Sequence, residues 1–508
     1  MNGVPAEVAG REPVVVTGTD ARYGEVVRGV NARYVGSPEA VYIVNSTAQV
    51  AEVVQAAVTR GKRLTVRSGG HCLEDFVFNP DVQVVLDLSE MNRVYFDAAR
   101  GAFAVEPGAT LIDVYELLDT AWGVAIPAGS FYSVGAGGHV AGGGFGFLSR
   151  MHGLAVDHLH AVEVVVVDAA GVVRTVVASR EYDDPYRDLW WAHTGGGGGN
   201  FGVVTRYWFR SPGAVGQDPR SVLPRRPTDM LLSTVSLPWP EMTRQRFGRL
   251  LENFGAFHEK HKDPDSPYLA VTGGLVLTHR SGGPIRLDTQ VDGGHPAADR
   301  LLEAYLAEIL EGLGPVVRPR ARRVSWLALV RQHARANSAQ NDPTLRGDFK
   351  SALMRAGPPD HQIDTFYRHL TRVDIDNPTI TVSLAGFGGR INAVRPEATA
   401  FAHRDCSLAL LWTVLWHDPA DDGRYVDWNR EFYGAVYAET GGVPVPNSVT
   451  DGCYINDPDA DVADPRFNRS VTPWHELYYK DNYPGLRAAK ARWDPRNVFR
   501  HRLSVQLP

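Results

Sequence analysis

Glycine carries the first chemical signal in this chain. Of 508 residues 51 are glycine, and 16 of these fall between positions 129 and 202, where an even spread would place about seven. Glycine-rich loops stand at three places: 68–71 (SGGH), before that window, and 133–146 (SVGAGGHVAGGGFG) and 195–202 (GGGGGNFG) within it. Consecutive N–H groups in such loops form concave anion sites, and missing side chains let the backbone approach a ligand closely. Three separate loops suit one long ligand such as a dinucleotide, although tight turns in a sheet protein would use the same residues. Gly197, Gly199 and Gly202 match G-x-G-x-x-G. That fingerprint must open a helix, and the residues that follow here, VVTRYWF, are β-like. No Walker A and no G-x-S-x-G sequence is present. HEKHK (258–262) and HELYY (475–479) both fail the H-E-x-x-H zinc pattern, and HEKHK reads as the solvated face of a polar helix. His71 ends the first loop, and a lone histidine after a turn is more often structural than chemical.

The elements around these loops are short and mixed. Residues 46–61 read as an amphipathic helix, with apolar residues at 50, 53, 54, 57 and 58, Ser46 or Thr47 to cap it and Gly61 to end it. RLTVR (63–67) is a strand that runs into the first loop. VQVVLDL (82–88) and AFAVEP (102–107) read as strands and 110–122 as a helix. AVEVVVVD and VVRTVVA form a hairpin around Gly171, and 202–210 is a further strand. A Pro/Gly/Arg-rich break at 211–228 follows. Residues 229–440 then alternate strand-like runs with helix-like ones at 301–312, 361–371 and 427–439, which suggests an antiparallel sheet covered by helices.

Composition excludes several classes. The net charge of −6 argues against a nucleic-acid binder. No apolar run is long enough for a membrane span. The first 20 residues lack a basic region followed by an apolar core, so a cytoplasmic, reducing location is expected. Three cysteines, Cys72, Cys406 and Cys453, fit neither a full set of disulfides nor a zinc site. Six lysines against 46 arginines point to a GC-rich bacterial genome.

RSGGH (67–71), SVGAGGHVAGGGFG (133–146), LAVDHL (154–159), GGGGGNFGVVT (195–205), Y-x-N (454–456) and DNYPGL…DPRNVF (481–499) occur in that order. Together they resemble the FAD-linked oxidases of the berberine bridge enzyme group, within the vanillyl-alcohol-oxidase (PCMH-type) flavoprotein superfamily. The resemblance implies an α+β fold of two domains. Residues 1–212 and the returning tail 446–508 would bind FAD, and 213–445 would form a substrate domain with an antiparallel sheet under helices. It assigns the cofactor to Arg67, Ser68, Gly69, Gly70, His71 and Cys72, and to Val134, Gly135, Gly137, Gly138, His139, Gly142, Gly143, Gly144 and Gly146. Asp157, Gly199, Asn200, Gly202, Val203, Val204, Tyr454 and Asn456 complete the set.

His71 would carry FAD covalently at the 8α-methyl of the flavin ring. Many relatives add a second link through a cysteine four residues before the first glycine of their VG-x-GGH segment. Phe131 stands there in this chain, so a single bond is expected, with a less oxidising flavin. Cys72 lies beside His71 but does not match the second linkage. Tyr454 would be the base that takes the substrate proton, and such a phenol needs neighbours that lower its pKa. Tyr478 and Tyr479 are further candidates that a core would equally explain. His139 would stabilise the anionic reduced flavin. Val134 sits where relatives control oxygen access, and its small size fits an oxidase. Asn456 and Asn482 would hold the cofactor or the tail. The stretch that carries a second acid or base in some relatives is SLAGFGG (383–389) here, with no carboxylate or tyrosine.

The expected activity is an FAD-dependent oxidase that acts on a small secondary metabolite, such as a polyketide, glycosylated antibiotic or alkaloid, and reduces O2 to H2O2. A sugar oxidase is the alternative, and a flavin-containing drug-binding or resistance protein a third. No nucleic acid, membrane or metal partner is expected, and the chain would be a monomer or homodimer.

Overall fold

The computed structural model describes residues 12–129, 131, 133–336 and 342–508. Residues 1–11, which begin the first expected domain and hold half of the segment read for a leader, lie outside the described residues, as do Ser130 and Tyr132 beside Phe131.

The first sheet joins β1 (Val14–Val16), β2 (Ala40–Ile43), β3 (Leu64–Arg67) and β4 (Val84–Asp87) in the order β1-β2-β4-β3, with β2, β4 and β3 parallel. The helix Thr47–Thr59 forms as its spacing predicts. Ser46 Oγ accepts the Gln49 N–H, and Val50, Val53, Val54 and Ala57 are buried against β4 and the second sheet. The strand that delivers the first glycine loop is therefore held from behind by an apolar helix face.

The second sheet is antiparallel: β5 (Val94–Asp97), β6 (Ala102–Val105), β7 (Leu159–Val167), β8 (Val173–Ser179) and β9 (Val203–Phe209), in the order β5-β6-β9-β7-β8. β7 and β8 are the expected hairpin, and β9 follows the glycine run directly, so that run opens a strand and not a helix. The helix Leu111–Trp122 starts on a capping box between Thr110 and Asp113 and ends at Gly123, whose φ of 68° is left-handed.

The third sheet has eight strands: β10 (Asp229–Leu237), β11 (Val271–Thr278), β12 (Ile285–Asp292), β13 (Arg322–Ser325), β14 (Arg346–Met354), β15 (Thr381–Gly386), β16 (Leu408–Trp416) and β17 (Thr450–Gly452). Their order is β13-β10-β12-β11-β15-β16-β14-β17, and every pairing is antiparallel. One face packs its apolar residues under the helices Arg244–Lys260, Ala298–Ile309, Asp360–Leu370 and Asp422–Val436. Strand side chains alternate, so on β16 Leu408, Leu410, Trp412, Val414 and Trp416 enter this core while Ala409, Leu411 and Thr413 turn to the other side.

Three elements of this half escape the hydrophobic pattern. β14 carries Asp348 and Lys350 at buried positions, which breaks its apolar run; Lys350 is paired with Asp459 (2.9 Å) and Asp461 (2.8 Å). The helices Arg244–Lys260 and Trp326–Ala336 hide among arginines. The first of these corrects the reading of HEKHK as a solvated face. His258 is fully buried, its ring 4.5 Å from that of Phe254 and set over the glycine position Gly386. It lies on the same helical stripe as Phe247, Leu250, Leu251 and Phe254, which a view centred on the charges conceals.

The tail returns to the first half. The helices Trp474–Tyr479 and Tyr483–Trp493 bury Leu477, Tyr479, Leu486 and Trp493 in the core that also holds Trp190 and Phe201.

Candidate active site

A cavity of about 1260 Å3 runs between the glycine loops, the tail and the open face of the eight-stranded sheet. It exceeds the ~300–1,000 Å3 usual for a ligand pocket, so a dinucleotide and a second molecule can share it. The described residues hold no cluster of metal-ligating side chains, and none of their helices is long and apolar enough to cross a membrane.

The loops meet backbone to backbone. A Cβ on Gly69 would lie 2.3 Å from the Gly135 nitrogen, and one on Gly135 would lie 2.0 Å from Ser68 Oγ. Ser68 Oγ donates to the Pro107 carbonyl (2.6 Å), and Arg67 pairs with Asp87 at the end of β4. Gly198 faces Gly138 closely: a Cβ on Gly198 would lie 4.0 Å from the Gly138 Cα, at van der Waals contact. The N–H groups of Gly70, His71, Gly198 and Gly199 have no acceptor among the described residues, and all four residues line the cavity. Free N–H groups on two facing walls form the polar cradle that a pyrophosphate-bearing cofactor needs. Val134, Gly135, Gly137, Gly138, Gly146, Gly202, Val203 and Val204 line the same cavity.

Five expected cofactor residues stand behind the wall. Asp157 pairs with Arg404 through both oxygens (2.7 and 3.0 Å) and accepts the Leu154 N–H, so it ties the first half to the third sheet. Asn200 folds its amide onto the Gly196 carbonyl (2.9 Å) and accepts the Val505 N–H (2.7 Å), which anchors the tail. Gly142, Gly143 and Gly144 pack against Asn456, Phe401 and His139; a Cβ on Gly142 would lie 2.0 Å from Asn456 Oδ1. Asn482 likewise binds carbonyls, at Pro396 and Thr399. Tyr478 and Tyr479 are core. The hydroxyl of Tyr478 accepts the Asp459 N–H, and that of Tyr479 donates to the Gly196 carbonyl.

His71 lines the cavity and shares a hydrogen bond with Ser133 Oγ through Nε2 (2.9 Å). Burial, with help from the Arg67 charge, brings its pKa down to about 4, so the ring is neutral and nucleophilic at pH 7. Burial pushes the adjacent Cys72 thiol up to about 12, which leaves it protonated and inert. Phe131 presents its ring at the cavity edge, 42% exposed.

Tyr454 is the centre of the polar arrangement. Its hydroxyl oxygen accepts N–H bonds from Asn456 Nδ2 (2.8 Å), Gly144 (3.1 Å) and Phe145 (3.2 Å). Burial outweighs these three donors and leaves the free phenol above its ordinary pKa, while the donors favour a negative oxygen once one forms. Asn456 also donates to the His139 carbonyl (2.9 Å), which fixes its amide. His139 Nε2 accepts the Gly129 N–H (2.8 Å), and burial brings its pKa down to about 4. It is therefore a neutral ring with its proton on Nδ1, and any help to an anionic flavin comes from an N–H dipole and not from a charge.

Sequence reasoning stopped at Asn456 and missed its neighbour Asp457, which also lines the cavity. The signal was an acid directly after Y-x-N. The open face of the eight-stranded sheet lines the cavity with small residues, Gly274 on β11, Ser383 and Ala385 on β15 and Ala409 on β16, and with larger ones, Leu232, Val276, Phe349 and Leu411, beside Arg286 and Asp288 on β12. Ser383 and Ala385 belong to SLAGFGG, so that stretch indeed contributes no acid or base.

Comparison with known proteins matches this arrangement. Residues 38–176 fit the family model described as FAD binding domain, and 453–506 the one described as berberine and berberine like. The chain is 48% identical to the aclacinomycin-N/aclacinomycin-A oxidase of Streptomyces galilaeus, over 97% of this chain and 90% of that protein. Among solved structures, a flavoenzyme of caerulomycin biosynthesis superposes with a TM-score of 0.94 at 47% identity, covering 98% of this chain and all of the other. A glycopeptide hexose oxidase solved with teicoplanin gives 0.93 at 45% identity, covering 98% and 99%. A cradle of free N–H groups, a neutral histidine after RSGG and a Y-x-N tyrosine thus come with close relatives over nearly the whole length: the chain belongs to the berberine bridge enzyme-like family of FAD-linked oxidases.

Proposed function

We propose that this oxidase converts a secondary hydroxyl of a glycosylated or polycyclic secondary metabolite to a carbonyl, with Tyr454 as the base. Bound FAD supplies the two-electron acceptor and returns the electrons to O2 as H2O2. The observation that carries the reading is the set of three N–H donors on one phenol oxygen. A neutral phenol keeps its own proton and cannot use all three fully, whereas a phenolate can. Tyr454 takes the hydroxyl proton at that oxygen. His71 holds the flavin covalently as the single attachment point, because Phe131 has no sulfur to offer and the Cys72 thiol stays protonated. The cavity of about 1260 Å3 and its largely apolar sheet wall leave room for a ligand larger than a free sugar, which favours an antibiotic-like substrate. The names of the relatives, an aclacinomycin oxidase and a glycopeptide hexose oxidase, support the same class.

A peroxide-coupled screen of free hexoses, glycosylated aromatics and glycopeptides tests this, followed by Tyr454→Phe on the best substrate. Turnover is expected on glycosylated aromatics or glycopeptides, with flavin reduction at least tenfold slower in Tyr454→Phe. An unchanged rate in that variant removes Tyr454 as base. Faster turnover of free hexoses would favour the sugar-oxidase reading.

A further inference from the structure

The register of the eight-stranded sheet gives the substrate cavity a second, distant end. Ser351 on β14 accepts the Tyr454 N–H at its Oγ (3.2 Å), so its position marks the reacting end. One cross-strand row runs from Ser351 through Leu411 on β16, Ser383 on β15 and Val276 on β11 to Arg286 on β12. Leu411, Ser383, Val276 and Arg286 all line the cavity. Neighbouring strands lie ~4.8 Å apart, so these four steps carry Arg286 about 19 Å along the sheet from the residue that holds Tyr454.

Two more arginines stand at that end. Arg322 on β13 lies opposite Leu232 on β10, and Leu232 lies opposite Gln290 on β12. Arg320 precedes Arg322 by two residues, and both line the cavity with Leu232 and Gln290. Little neutralises these guanidiniums. Among the described residues Asp288 is the one carboxylate that lines this end. Its Oδ2 lies 3.4 Å from Arg286 Nε, and its Oδ1 accepts the Thr234 hydroxyl (2.8 Å). Arg322 donates to Gln332 Oε1 (3.3 Å), a neutral partner, and Arg320 has no acidic partner among the described residues. The neighbouring cations are spent elsewhere: Arg323 holds Asp229 (2.9 Å) and Asp299 (2.6 Å), and Arg331 holds Glu116 (2.7 Å). Three guanidiniums thus face one carboxylate, in a chain whose net charge is −6. Gln290 adds an unspent polar atom. The residue is only 9% exposed, and its Oε1 has no hydrogen-bond partner among the described residues. A ligand hydroxyl beside the arginines would satisfy it.

We propose that this end is a distal anion subsite, and that the substrate carries a carboxylate on the order of 20 Å from the hydroxyl that is oxidised. Arg320 and Arg322 bind the carboxylate, with Arg286 beside them, because a guanidinium fork matches the two oxygens of a carboxylate. Gln290 accepts a neighbouring hydroxyl. This rests on Tyr454 as base, since that oxygen fixes where the span begins.

The probes are a glucosylated anthraquinone carboxylic acid, its methyl ester and the shorter glucoside of 4-hydroxybenzoate. Affinities are measured by calorimetry on the Tyr454→Phe holoenzyme, and flavin reduction by anaerobic mixing of wild type and Tyr454→Phe. The long acid is expected to bind about tenfold tighter than its ester. That preference should shrink severalfold between about 50 and 500 mM salt. Arg320→Ala with Arg322→Ala, in the same background, should bring the two affinities close to equal, and Arg320→Glu with Arg322→Glu should reverse their order. The short acid should show no dependence on these arginines. If the long acid binds no tighter than its ester, or not at all, this inference falls, and a slow Tyr454→Phe leaves the base reading standing. If the preference survives both pairs of arginine substitutions, or the short acid shares it, this inference falls as well. If Tyr454→Phe reduces flavin as fast as wild type, the base reading falls and takes the span with it. If the arginine variants fail to fold, the acid–ester ratio and its salt dependence in the parent holoenzyme decide alone.

Discussion

Asn456→Ala offers a calibrated probe of Tyr454. It removes the shortest of three donors on the phenol oxygen, 2.8 Å against 3.1 and 3.2 Å, and leaves the backbone pair in place. A hydrogen bond to a charged oxygen contributes about 1.5–3 kcal/mol, and one between neutral groups about 1 kcal/mol. At about 1.4 kcal/mol per decade, loss of the charged bond slows the proton-transfer step about 10- to 150-fold, and loss of a neutral one only about fivefold. The size of the drop therefore reports whether the oxygen is an anion when the substrate reacts. The assay is rapid anaerobic mixing, following the bleaching of the flavin at saturating substrate and at pH 8, with half-saturation recorded separately. Asn456 also braces the His139 carbonyl, so flavin content and spectrum must match the wild type for the comparison to count. A fall of less than about threefold, in a variant with full flavin, would refute the anionic cradle, because even the neutral bond predicts more.

Gly69→Ala should yield colourless protein, because its Cβ would meet the Gly135 nitrogen at 2.3 Å and neither backbone can step aside; absorbance of the purified variant checks it. Acid precipitation of the wild type should carry the yellow colour with the protein, and proteolysis should give one flavopeptide, containing His71; in His71→Ala the colour should stay in the supernatant. Asp457→Asn should also change stability with pH. Folded, the acid titrates near pH 7 against an ordinary 3.8, so between these values the native chain binds more protons than the unfolded one. Wild-type stability then falls as pH rises through this window, and the variant escapes that loss. Melting curves should show the variant gaining on the wild type by a few degrees between pH 5 and pH 8, on the order expected for one buried carboxyl; an equal difference at both pH values would show that the carboxyl is not perturbed.

The glycine loops and Y-x-N were legible because their chemistry is local. Gly69, Gly135 and His71 need particular backbone at their own positions, and the residue type records it. β7 and β8 were legible for the same reason, since an uninterrupted valine run and a Gly171 turn settle their own geometry. What escaped depends on partners far along the chain. Lys350 reads as a strand breaker until Asp459 and Asp461 neutralise it, and His258 reads as surface until Gly386 makes room for its ring. Asp157 sits inside a motif segment, yet its work is to hold Arg404, 247 positions away. Asp457 carried an ordinary acid's label. Its difference lies in what is missing around it, and a sequence does not record the absence of a partner.

The anchoring of the tail bears on the order of events in making this enzyme. Lys490 Nζ reaches the carbonyls of Asn200 and Phe499 and the Asp494 carboxylate, His501 Nε2 bonds the Gly198 carbonyl, and Val505 closes onto Asn200. The third glycine loop is thus braced by residues translated some 300 positions after it. While the ribosome is still reading the substrate half, the groove lacks one of its sides and FAD has no enclosed seat. Residues 499–501 also form part of the cavity wall, so the groove closes only once this segment has docked.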